Sequence, residues 1–188
     1  MAILPIYTLG HSILRKKARP FKGPDEHVIR LAESMLETMH KANGVGLAAN
    51  QVGVLQRIIV VDITGTDGVD HFDPLVMLNP EILEYEGKWK LEEGCLSLPD
   101  LRDEVERHER IRVGYRDLNF DPKVLETGGM LGRVLQHEMD HLNGVLFIDH
   151  LGMVRRKLLR GRLNKIQNGE VDVDYAVAPL EEPVAHTM

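Results

Sequence analysis

Between Asp25 and Asn43 the apolar residues Val28, Leu31, Ala32, Met35, Leu36 and Met39 recur at helical spacing, with acids at the front and Asn43-Gly44 behind as a stop signal. This spacing predicts a helix. Beyond it the period changes. Arg57 to Ile63 (RIIVVDI) and Leu75 to Leu83 (LVMLNPEIL) are short β-branched or aliphatic runs separated by a Gly/Asp-rich turn, and Arg110 to Leu118 (RIRVGYRDL) alternates as a strand does. No helix-length pattern separates these runs, so the middle of the chain is read as mostly antiparallel sheet. A second helix is expected from Gly128 to Leu142, stopped by a left-handed cap at Asn143-Gly144, and a third from Leu151 to Gln167. Residues 168–188 lose periodicity and gain acids and prolines, which reads as a tail that is flexible or ordered only on contact.

A length of 188 residues suits one domain, with residues 1–167 as its body and 168–188 as an acidic tail. With 43% hydrophobic and 28% charged residues, the composition is that of an ordinary globular protein and excludes collagen-like or wholly disordered classes. No apolar run approaches the roughly 18 residues that span a bilayer, and in MAILPIYTLGHSILRKK the charges follow the apolar part, the reverse of a signal peptide. The expectation is a cytoplasmic protein with no membrane partner. A net charge of −6 argues against specific DNA binding or general nucleic-acid binding.

The candidate chemistry concentrates in Gln136 to Gly144, QHEMDHLNG. His137 and His141 stand at i and i+4 of the expected second helix, about 40° apart with roughly 6 Å between their Cβ atoms, so both imidazoles can reach one ion. Glu138 projects about 60° round from His141, placed to reach a water on that ion without ligating it. Met130 and Val134 extend the same face in apolar form, as in the wall of a pocket. Two histidines on a helix face also occur as plain polar surface, so a third ligand decides the matter: a catalytic site takes three protein ligands and a water. A metzincin continuation fails because Phe147 stands where the last histidine belongs, and a thermolysin-like one fails because no glutamate occurs from Leu142 to Asn168. His150 remains as a downstream candidate.

Upstream the only soft donor is Cys95, in LEEGCLSLP (Leu91 to Pro99). A single cysteine makes no internal disulfide, which leaves a small core residue, a reactive thiol or a metal ligand. As a thiolate it would complete a Cys-His-His set of the kind found in catalytic sites. Gly94 before it lets the backbone approach closely and Pro99 fixes the exit. A third segment, Gly44 to Gly53 (GVGLAANQVG), avoids bulky side chains; it either packs tightly on a neighbour or leaves its backbone open to a ligand. Gln51 within it carries a neutral amide able to donate to a developing oxyanion.

In this order, GVGLAANQ, EGCLSLP and QHEMDHLNG resemble the three signature motifs of the peptide deformylases, over roughly Leu4 to Ile166, and the arrangement is similar to the bacterial type I branch. The resemblance implies an α+β fold, with antiparallel β-sheets surrounding a central HExxH helix and with an N-terminal and a C-terminal helix. It implies a metal-dependent hydrolase that removes the N-formyl group from the formylmethionine of nascent polypeptides, releasing formate. Cys95, His137 and His141 would hold one divalent ion per chain, Fe2+ in the cell with Zn2+, Ni2+ or Co2+ able to replace it in preparations. The affinity order favours zinc over ferrous iron, so iron would reflect availability and reactivity. Glu138 would carry a proton from water to the leaving amine. Gln51 and the backbone N–H of Leu96 would receive the oxyanion. Val45, Leu96, Met130 and Val134 would form the methionine slot. Gly46 and Gly94 would offer backbone groups to an extended peptide, with Arg102 steering its far end and Arg133 making the rim more polar.

The third helix carries Arg155, Arg156, Lys157, Arg160, Arg162 and Lys165 with no acid between Leu151 and Asn168. By the resemblance this stripe would touch the ribosome; as residues alone it is equally a solvated face opposite Leu151, Val154, Leu158 and Ile166. Glu170, Asp172, Asp174, Glu181 and Glu182 of the tail would partly mask it. Two other classes compete. An HExxH peptidase would cleave unformylated peptides and take a third ligand other than Cys95, whereas a structural metal protein would leave Glu138 and Gln51 idle.

Overall fold

The computed structural model describes residues 2–24, 26–66 and 68–180. Helix α1 (Glu26–Lys41) buries Val28, Ala32, Met35 and Met39 along one face, the stripe that its sequence period requires. Asp25, expected to open it, lies outside the described residues. The helix stops where Asn43 takes φ +53°, so the asparagine, not the glycine, is the left-handed residue of the stop signal. Gly44 is needed for close approach instead: a Cβ there would lie 2.8 Å from Leu96 Cδ1.

Among the described residues seven strands follow: β1 (Gly46–Ala48), β2 (Ile58–Val61), β3 (Leu75–Glu86), β4 (Trp89–Cys95), β5 (Leu98–Arg107), β6 (Arg110–Arg116) and β7 (Pro122–Gly128). All pair antiparallel, in one sheet of order β1-β2-β3-β6-β7 and a separate β4-β5 hairpin. Strand β2 is buried on both faces. Ile58 and Val60 join Val28, Met35 and Met39, while Ile59 and Val61 join Val134, Leu135 and Met139, which is why this run shows no polar alternation. The β4-β5 hairpin, too rich in charge to stand out in the sequence, alternates instead: Leu101, Asp103, Val105 and Arg107 of β5 face inward, Arg102, Glu104 and Glu106 outward.

Helix α2 (Gly129–Leu142) runs between the sheet and the hairpin, and every residue from Gly132 to Leu142 is buried except the half-buried Asp140. Gly144 takes the left-handed turn after it, with φ +76°; a Cβ there would lie 2.6 Å from the Arg15 carbonyl. The antiparallel sheets thus enclose the HExxH helix, as expected. Helix α3 (Met153–Gln167) contributes Leu159, Leu163 and Ile166 to a third apolar cluster with Leu14, Leu101 and Phe147. Here the expectation is corrected. Val154 and Leu158 are 77% and 72% exposed, because the buried stripe follows positions 159, 163 and 166 instead of theirs. None of the helices is long and apolar enough to cross a membrane, among the described residues.

The loss of periodicity after α3 is also corrected. Val171, Val173, Tyr175 and Val177 turn inward while Asp172, Asp174 and Ala176 face solvent, a strand-like alternation. This extended strap lies on the N-terminal segment: Ile6 N–H donates to the Ala176 carbonyl at 2.8 Å and Ala178 N–H to the Ile6 carbonyl at 2.9 Å. The ring of buried His11 lies with Nε2 3.1 Å from the Pro179 carbonyl. Glu181 and Glu182 lie outside the described residues.

Candidate metal centre

Cys95 ends β4, and its pairing with Leu98 leaves only Leu96 and Ser97 to make the turn into β5. That tight turn delivers the thiol to the buried face of α2. Cys95 Sγ lies 3.2 Å from His141 Nε2, and the Nε2 atoms of His137 and His141 are 3.3 Å apart. The three donor atoms all lie within 4.8 Å of one another. One thiol and two imidazoles converging at this range fit a divalent ion with a fourth position open. Beside them the buried Glu138 Oε2 has no hydrogen-bond partner, as expected where a water on such an ion belongs. His150 is removed as a candidate ligand: its Nε2 is 2.7 Å from Asp140 Oδ2 and the residue is exposed.

Behind the trio stands a buried charge cluster that the sequence reading missed. Glu93 Oε2 meets His137 Nδ1 at 2.9 Å, which turns Nε2 of that ring toward Cys95. Arg107 grips the same carboxylate with Nε at 2.5 Å and Nη2 at 2.9 Å, and reaches Asp140 with Nη1 at 2.7 Å. Arg133 adds a bond to Glu93 at 2.9 Å and donates to the carbonyls of Val105 and Trp89, its guanidinium 4.7 Å from the centre of the Trp89 ring. The expectation that Arg133 makes the rim polar is therefore wrong: it is 3% exposed and its charge is spent inside. Burial alone would raise the Glu93 carboxyl, but the hydrogen bonds from His137 and Arg107 and the Arg107 charge outweigh it and hold it well below the ordinary range. A signal for Glu93 existed. It stands two residues before Cys95, hence on the same face of a strand.

The trio opens on a cleft of about 540 Å³ whose wall includes Val45, Gly46 and Gln51 from one motif and Gly94, Cys95 and Leu96 from the next. Met130, Val134, His137 and Glu138 of α2 form its floor, with Arg102 at the mouth, 70% exposed in its side chain. The residues read from the three motifs thus fall in or beside one cavity, together with Arg102 and Met130. Gln51 is oriented by its carbonyl, which accepts the Ala48 N–H at 2.8 Å; its amide nitrogen then faces Ser97 Oγ at 3.2 Å and Cys95 Sγ at 3.6 Å. Burial pushes the Glu138 carboxyl up to about 7, against the pull of His137 and Arg107. Gly94 does not serve the close contact expected of it, since a Cβ there would meet Arg102 only at an ordinary 3.5 Å.

Gly46 has no room on the side of the cleft. A Cβ at this position would stand 2.5 Å from Glu138 Oε1 and 2.7 Å from Val134 Cγ1. Gly46→Ala is expected to displace Glu138 and lower kcat for the reaction proposed below by about 100-fold, the usual cost of misplacing a reacting group by an ångström. Steady-state rates at unchanged metal content check it; wild-type kcat would mean that Glu138 tolerates the shift.

The polypeptide deformylase family profile matches residues 3–157. A peptide deformylase of Salinibacter ruber is 48% identical over 188 residues, covering 96% of each chain. Among solved structures, the peptide deformylase of Legionella pneumophila superposes with a TM-score of 0.81 at 40% identity, covering 90% of this chain and 98% of that one. A Met-Ala-Ser-bound class I type b peptide deformylase from Acinetobacter baumannii gives 0.75 at 38% identity, covering 80% and 99%. The likeness spans the fold, and the matched residues contain all three motifs; the chain belongs to the peptide deformylase family.

Proposed function

We propose that this chain removes the formyl group from the N-terminal formylmethionine of nascent polypeptides, using Cys95, His137 and His141 as metal ligands and Glu138 as the proton carrier. The observation that carries the reading is the convergence of these four side chains and Gln51 on one cleft. A bound divalent ion supplies a Lewis acid that acidifies water and polarises a carbonyl. Glu138 takes the proton of the attacking water as its oxygen adds to the formyl carbon, then delivers it to the amine nitrogen as the C–N bond breaks. The formyl oxygen, negative in between, is met by Gln51 Nε2 and the Leu96 N–H. Glu93 keeps the His137 ring in the tautomer whose Nε2 faces the ion.

The methionine side chain is assigned to the apolar part of the cleft, where Val45 and Met130 pack against Val134, with Leu96 alongside. Among the described residues Gly46 lies on β1, whose one strand partner is β2, and Gly94 on β4, paired with β5 alone. Each strand leaves an edge able to receive the backbone of an extended peptide, with Arg102 at the far end. Tripeptide binding by the Acinetobacter relative supports this route. We assign ferrous iron as the cellular metal, the cytoplasm as the location and the exposed basic residues of α3 as a contact to the ribosome. Those residues include Arg156, Lys157, Arg160, Arg162 and Lys165.

The test is anaerobic turnover of formyl-Met-Ala-Ser beside the unformylated peptide, with metal determined on the same sample. Formate release in proportion to bound iron, its loss on stripping the metal and its return on adding Fe2+ are expected. Metal bound without formate, or cleavage of the unformylated control, would sink the assignment.

A further inference from the structure

The strap after α3 carries Tyr175 into the cleft. Its hydroxyl donates to the Leu96 carbonyl at 2.8 Å, and Tyr175 and Val173 line the wall beside Gly94 and Cys95. The strap is anchored where it matters: the two backbone bonds of Ile6 fall on Ala176 and Ala178, immediately after the tyrosine. An aromatic side chain half-buried at the edge of a paired segment has little freedom to leave.

Leu96 and Ser97 form the two-residue turn behind the ligand cysteine, and among the described residues the other hydrogen bonds that pin this region act on Ser97 and Cys95, the neighbours of Leu96. Leu9 N–H donates to the Ser97 carbonyl at 2.9 Å, while Gln51 Nε2 reaches Ser97 Oγ and Cys95 Sγ. Tyr175 holds Leu96 itself. The N–H of Leu96 lies in the peptide plane between Cys95 and Leu96; Cys95 is held at one end of that plane by Gln51 and the Leu96 carbonyl by Tyr175 just beyond the other, so the plane is restrained from both sides. We propose that Tyr175 is a positioning residue: by holding the Leu96 carbonyl it keeps the Leu96 N–H aimed at the place where the oxyanion develops. The inference rests on the deformylase reading above. It gives the strap a catalytic purpose that none of the three motifs contains.

Tyr175→Phe tests it, because the ring and the strap remain and only one donor is lost. The expected result is a fall in kcat on formyl-Met-Ala-Ser of about three- to tenfold, the range of one hydrogen bond. KM and bound metal should stay at wild-type values, and Tm should fall by no more than about 6 °C, the worth of one hydrogen bond in a chain of this size. A purely structural tyrosine would show that fall in Tm with the kcat of the folded fraction intact. Wild-type kcat in Tyr175→Phe, beside an active parent, would overturn the inference and leave the deformylase reading standing. A fall matched by loss of metal would overturn it too, since the tyrosine would then act on Cys95. A parent that releases no formate would overturn both.

Discussion

Glu138→Gln is expected to bind metal as the parent does and to lose about 10²- to 10⁴-fold in kcat, the usual worth of a positioned acid-base group. The glutamine keeps the shape of a side chain that is 4% exposed and packed against Gly46, so the fold should not register the change. What it loses is the site that accepts the proton of water. The pH profile makes the argument specific. Burial raises this carboxyl to about 7, the charges of His137 and Arg107 oppose it, and the charge of a bound ion lowers it further. The base is active when ionised, so kcat/KM of the parent should fall as pH drops through a midpoint below about 7, and the residual activity of Glu138→Gln should lack that limb. A glutamine variant that turns over at the parental rate would remove Glu138 from the mechanism.

The second large effect lies behind the metal. Glu93→Ala strips the shared acceptor from two buried guanidinium groups, and breaking a buried pair this way costs about 3–5 kcal/mol, or roughly 6–20 °C in Tm for a chain of this size. It also frees His137 Nδ1, and loss of such an outer partner lowers metal affinity by about 10- to 100-fold. Thermal unfolding of the metal-stripped proteins separates the two effects, since bound metal adds stability by mass action. The pH dependence follows from the sign of the shift. The folded carboxyl titrates well below its ordinary 4.5, so its contribution is complete above that value and disappears as pH falls below it. Glu93→Gln should flatten this acid limb. An alanine variant with parental Tm and metal affinity would show that the cluster is ornamental.

The sequence announced what depends on local period and what depends on rare residues. Met35 and Met39 mark α1 by helical spacing, and His137 with His141 mark α2 because few purposes need two imidazoles at that interval. Cys95 was visible by being alone. Glu93 and Arg107 were not, because their type reads as surface, and Arg133 was misplaced at the rim for the same reason; only the phase of the first two, two residues from Cys95 on β4 or inward with Leu101 and Val105 on β5, betrays burial. The strap shows the same lesson. Its acids drew attention as composition, while the alternation of Val171, Val173, Tyr175 and Val177 carried the structure. His150 and Cys95 could not be separated as third ligand by spacing along the chain, since that choice depends on how the hairpin docks on the helix.

Strand β2 couples parts of the molecule that share no chemistry. Its alternate residues lie in two clusters, one built on α1 and one on α2, and Val61 pairs with Gly46, the residue that touches Glu138. Close-packed layers transmit displacement instead of absorbing it. A cavity opened under α1 would therefore tilt β2, shift its neighbour β1 and reach the proton carrier without altering any cleft residue. The placing of the proposed proton carrier is thus partly a mechanical property of four aliphatic side chains.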